Sequence, residues 1–149
     1  MKRFNFRLQR VLDIRQKVRE LYKLDLAKKA SEYNLEIAKI NKLKGEKKDA
    51  ILEMKKTSSI EEKRLLDNYI RSNEEMQKYK MMDVKKKEKP FREALDKYLE
   101  KDREVKVLEK LRQRSVEEFR RASLKEDETV VDEIVSNSSS VKLRREVEQ

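Results

Sequence analysis

Residues 54–66 read MKKTSSIEEKRLL, and whether this stretch is helix or turn decides the fold. Thr57, Ser58 and Ser59 carry side-chain oxygens that compete for nearby backbone hydrogen bonds, so three in a row favour a helix end. Ser59-Ile60-Glu61-Glu62 fits S-x-x-E, a capping box in which Ser59 caps a new helix and Glu62 reaches back to it. The stretch reads as a chain reversal. Gly45, in KLKGEKK, is the competing break, but no capping signal follows it.

Upstream of the reversal, apolar residues fall at Phe4, Leu8, Val11, Val18, Tyr22, Leu26, Ala30, Tyr33, Ile37, Ile40, Ile51 and Met54. Steps of three and four dominate, which gives the narrow stripe of a coiled coil rather than the broad face of a helix in a globule. Downstream, Leu66, Tyr69, Met76 and Tyr79 resume the stripe. It weakens through DVKKKEKP and returns strongly from Phe91 to Ala122. Pro90 removes one backbone donor and disfavours a helical Lys89, so it either kinks one long helix or starts a third.

The spacing predicts an all-α fold, a long antiparallel two-helix coiled-coil hairpin, with a three-helix bundle broken at Pro90 as the alternative. Helix 1 is expected over about 4–56, the turn over 57–59 and helix 2 over about 60–135, as one domain of residues 1–136. The Ser-rich stretch SNSSSVKLRREVEQ gives 137–149 as a flexible C-terminal tail. At 1.5 Å per residue the first helix would run roughly 80 Å, and the longer second helix would overhang the N-terminus. Phe4 then falls near Arg112 or Gln113.

Composition agrees with few, long helices. The 149 residues are 47% charged and 36% hydrophobic, with one Gly, one Pro and no Trp. The formal charge of +10 is uneven. Residues 1–57 hold 17 bases against 8 acids, and 58–149 hold 23 against 22. Within these, 1–31 carries ten bases against three acids and 101–125 nine against five, whereas EDETVVDEIV (126–135) has five acids and no base. An antiparallel hairpin brings the two basic stretches to one end.

The chain has no Cys and no His, which removes disulfides, thiol chemistry and the usual transition-metal ligands. It also removes the commonest general base near neutral pH. A single Gly excludes Gly-rich phosphate loops. Adjacent Glu pairs, such as Glu61-Glu62 and Glu117-Glu118, point in different directions on a helix. No catalytic, metal or cofactor site is expected, and the chain reads as a non-enzyme. No apolar run approaches the roughly 20 residues of a membrane span, and no secretory signal is present. A cytoplasmic protein is expected.

The opening FNFRLQRVLDIRQKVRE resembles the F-x-F-x-L-Q-x-V-L-x-x-R start of the flagellar FliJ family, carried by Phe4, Phe6, Leu8, Gln9, Val11, Leu12 and Arg15. A second resemblance lies in Leu108, Glu109, Lys110, Leu111 and Arg112, followed by Asp132 and Glu133. The resemblance implies a stalk-like component of the flagellar type III protein export apparatus, which serves flagellum biogenesis and motility. Its implied partners are the hexameric export ATPase, the cytoplasmic domain of the export gate protein and export chaperones. The implied localisation is cytoplasmic, at the inner face of the cell membrane through the export apparatus, without membrane insertion. Arg7, Arg10, Arg15, Lys17, Arg112, Arg114, Arg120 and Arg121 become the residues expected to meet acidic loops of the ATPase ring. Phe6, off the stripe, is placed with them. Tyr69, Met76 and Tyr79, near the turn, are the expected gate-binding residues, because Met and Tyr are favoured at protein contacts.

The basic surplus also admits a structural or nucleic-acid-binding coiled coil. Acids are interleaved throughout, however, and neither a stacking platform nor a basic-zipper block appears, so no nucleic-acid partner is expected.

Overall fold

A computed structural model describes residues 2–148. Met1 and Gln149, the outermost residues of the expected hairpin and tail, lie outside the described residues. Two α-helices pack against each other, α1 (Gln9–Lys56) and α2 (Ile60–Val147), with no strand among the described residues. Thr57, Ser58 and Ser59 connect them. The chain divides into two compact units, Arg15–Arg103 and Met1–Ile14 with Glu104–Gln149.

In the unit Arg15–Arg103 the helices run antiparallel. Cross-helix pairs rise in number on α1 as they fall on α2: Arg19 to Asp102, Tyr33 stacked on Phe91 at 5.2 Å between ring centroids, Lys47 to Glu74. Ile40, Ala50, Val84 and Ala94 are buried along the seam. On α2 the residues turned inward are Leu66, Ile70, Asn73, Gln77, Lys80 and Val84, in strict steps of four and three. The apolar count alone puts Tyr69, Met76 and Tyr79 on the stripe, one position off. The true seam is heptad-regular but polar in its middle, so a hydrophobic pattern does not register it.

At the reversal the cap differs in detail from a capping box. The Ser59 hydroxyl accepts from the Glu62 backbone N–H at 3.5 Å, and Thr57 Oγ1 accepts from the Ser59 N–H at 3.4 Å. The Glu62 carboxylate accepts a hydrogen bond from the Thr57 hydroxyl instead of reaching back to the Ser59 N–H. Thr57 takes the place that the S-x-x-E pattern gives to the cap's own backbone.

Pro90 lies inside α2, which is continuous through it, so the three-helix alternative does not form. A mid-helix proline costs about 3 kcal/mol. Here that cost is offset by the Tyr33–Phe91 stack one residue on and by buried Ala94 one turn on. Gly45 does not break α1 either, and a Cβ built on it meets nothing within 4 Å. Gly45→Ala is therefore expected to stabilise the protein by about 0.5–1 kcal/mol, by removing the glycine's entropic penalty within a helix. Urea unfolding checks it, and an unchanged or lower midpoint would refute it.

The second unit holds the two chain ends. Its core is Val105, fully buried at 0% exposure, with Leu12 at 3% and Phe6 at 9%. Phe4, Leu8 and Leu108 pack against it. Residues 2–8 are not helical, and α1 opens through a turn in which the Gln9 N–H donates to the Phe6 carbonyl at 3.1 Å. This corrects the expected start near residue 4, and the reason is packing. Six residues on an ideal helix turn through about 600°, which would leave Phe6 far around from Leu12. Unwinding 4–8 swings Phe6 into the core beside it. The same change makes Leu12, not Val11, the inward residue; Val11 is 40% exposed.

Beyond Phe119 every described residue of α2 is exposed, yet the helix continues to Val147, through the stretch that composition alone reads as a tail. The serines do not end it. Their hydroxyls bond back into the preceding turn, Ser138 Oγ to the Val135 carbonyl at 2.9 Å and Ser140 Oγ to the Ser136 carbonyl at 2.8 Å. Back-bonding is how Ser is accommodated within a helix.

Candidate functional site

The unit of the two chain ends carries the main charge feature. Over residues 2–14 and 104–121 it holds ten bases against five acids, a net of +5. Arg112 is the fixed member of this set. Its guanidinium lies 5.8 Å from the Phe4 ring centroid, and its Nε donates to Gln9 Oε1 at 3.0 Å. Phe4 in turn packs at 60° on Phe119, 5.6 Å between centroids. A cation over an aromatic face contributes about 0.5–1 kcal/mol at exposed sites. The contacts tie the N-terminal segment to α2 and hold one positive charge in place. Arg7, Arg10, Arg114, Arg120 and Arg121 are exposed in the same unit. Such a concentration of like charge attracts acidic partners over about a Debye length.

Two of the expected basic residues, Arg15 and Lys17, belong to the unit Arg15–Arg103, and both are exposed there. Phe6 needs correction. It is not an outward aromatic awaiting a partner but part of the unit's core. A reading that keeps Phe4 to Arg15 in one helix sends it outward, and only the unwound start reveals its place. Phe4 and Gln9, the groups that hold Arg112, carry no signal as a site in the sequence.

The unit Arg15–Arg103 carries the second feature. Tyr69, Met76 and Tyr79 are exposed, Tyr79 at 68%, because the seam passes through Ile70, Gln77 and Lys80 instead. Their positions extend along α2 to two residues that the sequence reading missed, Leu65 before them and Met82 after. Tyr79 and Met82 line a shallow groove with Glu75 and Lys78. Only Tyr69 is tethered, its hydroxyl donating to Glu46 Oε2 at 3.4 Å. Its phenol pKa is raised, first by partial desolvation and then by the Glu46 carboxylate, which repels the phenolate. An exposed row of Met and Tyr is the composition of a protein-contact surface.

Among the described residues no group of three or more Asp, Glu, His or Cys is placed to hold a metal ion, and no helix is long and apolar enough to cross a membrane. The chemistry on offer is recognition: a cationic surface in one unit and an apolar, methionine- and tyrosine-bearing surface in the other. Against known proteins, a family model described as Flagellar FliJ protein matches residues 4–144. No curated protein and no solved structure matches the chain.

Proposed function

The chain belongs to the flagellar FliJ family, whose role is in flagellar protein export, and from that premise we propose that it is a non-enzymatic coupling component of the export apparatus. Its partners in this reading are the hexameric export ATPase, the cytoplasmic domain of the export gate and the chaperones of export substrates. The cationic surface built on Arg112, with Arg7, Arg10, Arg114, Arg120 and Arg121, meets acidic loops of the ATPase ring. Arg15 and Lys17 contribute from the neighbouring stretch of α1. Tyr69, Met76 and Tyr79 meet the gate. Binding to the gate holds the protein at the inner face of the membrane without insertion.

The single observation that carries this reading is the +5 surface assembled from residues 2–14 and 104–121, anchored by Arg112 on Phe4. Coupling requires binding whose strength responds to the state of the ATPase. Many weak exposed charge contacts, each contributing up to about 1 kcal/mol, suit that better than a few buried ones.

The test is ATPase turnover and direct binding with the purified export ATPase. Arg7, Arg10, Arg114 and Arg120 are changed together to Glu, while Arg112 is kept because it packs on Phe4. The wild type is expected to bind and stimulate, and the quadruple variant to bind roughly 100-fold more weakly with unchanged helicity, as four such contacts imply. A wild type without effect on the ATPase, or a variant equal to it, overturns the proposal.

A further inference from the structure

The stretch of α2 beyond Phe119 is exposed throughout, its Glu126 meeting Lys2 of the N-terminal segment at 3.5 Å on the side away from the aliphatic residues, yet it is not patterned as a solvated helix. Leu124, Val130, Val131, Ile134, Val135 and Val141 are all exposed. Positions 124, 127, 131, 134, 138 and 141 recur in alternating steps of three and four, the spacing of a coiled-coil seam, and four of the six are aliphatic. Val130 and Val135 flank that seam. Glu126, Asp132 and Glu133 fall on the opposite side of the helix. Three acids of this stretch thus lie away from the apolar face and Glu128 flanks it, so that only Asp127 interrupts it. Valine and isoleucine left in water along one line of a helix mark a surface that a partner covers.

We propose that this face is covered by the same stretch of a second copy of the chain, running antiparallel. The argument is self-complementarity. Reversing the stretch about the point between Asp132 and Glu133 lays Leu124 on Val141, Asp127 on Ser138 and Val131 on Ile134. Every aliphatic seam residue meets an aliphatic one, and the one seam acid meets Ser138, which is small and uncharged. Parallel pairing would instead stack Asp127 on its own copy, and like charges facing each other at a seam are destabilising. A two-fold arrangement in which residue i meets j while j meets i is the geometry of an isologous dimer. The seam is short and carries Asp127 and Ser138 in its middle, which makes the pairing weak and reversible, with dissociation in the micromolar range. It stands apart from the proposed role of the arginine surface, which uses other residues.

The native chain lacks cysteine, so introduced thiols report on this pairing alone. In the full chain carrying Leu124→Cys and Val141→Cys, oxidation is expected to give a covalent dimer whose linked peptides join position 124 to position 141. Within one chain these positions are about 25 Å apart along the helix and cannot join. Sedimentation equilibrium of the unsubstituted chain, from roughly 1 to 200 µM, is expected to show a monomer–dimer equilibrium. Val131→Glu with Ile134→Glu, which places four carboxylates around the two-fold axis, is expected to raise the dissociation constant at least about tenfold. Both residues are exposed in the single chain, so helicity and the unfolding midpoint extrapolated to low concentration stay unchanged. A monomer at all concentrations, linkage of 124 to 124, or a dissociation constant unmoved by the double substitution overturns the proposal. The last two outcomes point to parallel pairing and to an interface elsewhere on the chain, respectively.

Discussion

Phe6→Ala is expected to destabilise the unit of the two chain ends by about 3 kcal/mol, the lower end of the range for truncating a buried phenylalanine. The lower end applies because the ring sits at the edge of a small core, where water can enter part of the space it leaves. The ring shares that core with Leu12 and Val105, the most buried side chains of the unit. No regular helix holds residues 2–8. Their attachment depends on Phe6 and on Phe4 against Phe119 and Arg112. Val11→Ala, five positions on and largely exposed, should cost under about 1 kcal/mol. Amide hydrogen exchange separates the two, because the loss should concentrate in residues 9–14 and 104–112 before global unfolding. The same variant is expected to lose ATPase stimulation with every arginine intact, since the segment bearing Arg7 is no longer held beside Arg112. A Phe6→Ala protein with protection and stability within about 0.5 kcal/mol of wild type would sink this account of the core.

The contrast between Phe6 and Val11 shows where the sequence could be read and where it could not. Spacing in threes and fours gives two long helices, and Thr57-Ser58-Ser59 marks their reversal, because both features are local. Pro90 is ambiguous locally. Its outcome depends on Tyr33, 57 positions away, which stacks on Phe91 across the seam. The register of α2 lies one residue from the apolar count for a related reason. Asn73, Gln77 and Lys80 occupy seam positions, so a count of apolar residues follows Tyr69, Met76 and Tyr79 onto the outer face. On that outer face the three side chains are exposed, which is what a partner surface requires. At the N-terminus the signal was absent. Nothing in FNFRLQ states that the helix begins at Gln9, because the cause is the packing of Phe6 with Leu12 and Val105, which exists only once α2 is in place. Charge could be read only in sum. The two distant basic stretches, 1–31 with ten bases and 101–125 with nine, are visible in the sequence, but the seating of Arg112 between Phe4 and Gln9 is not.

Asn73 is the second position where a large effect is expected, and there the sign of the effect depends on the replacement. Its side chain is 5% exposed, its Nδ2 donates to the Leu43 carbonyl at 2.9 Å, and its Oδ1 accepts from Gln77 Nε2 at 2.7 Å. Asn73→Ala empties that space and leaves the half-buried amide of Gln77 without its acceptor, for an expected loss of about 2 kcal/mol. Asn73→Leu fills the seam with an apolar side chain and is expected to gain about 1 kcal/mol, because a polar seam residue is retained at a cost in stability. What the leucine loses is register. Sliding the pairing by one heptad moves the reversal by only three or four residues, but it gives up the Tyr33–Phe91 stack and the Arg19–Asp102 ion pair as well as the Ser59 cap, which alone contributes about 1 kcal/mol. An asparagine that must find both a carbonyl and Gln77 opposes that slide, and a leucine does not. In the native register Lys47 Nζ lies 3.0 Å from a Glu74 carboxylate oxygen, and a one-heptad slip brings Lys47 to Asp67. Zero-length carbodiimide coupling should therefore join Lys47 to Glu74 and not to Asp67 in the wild type, and to Glu74 with a minor share to Asp67 in Asn73→Leu. A leucine variant that is more stable yet couples Lys47 only to Glu74 would mean that the turn fixes the register unaided. Asn73 would then be a stability cost without a pairing role. A leucine variant less stable than wild type would mean that the two hydrogen bonds outweigh the burial of the amide, contrary to the ordering argued from seam chemistry.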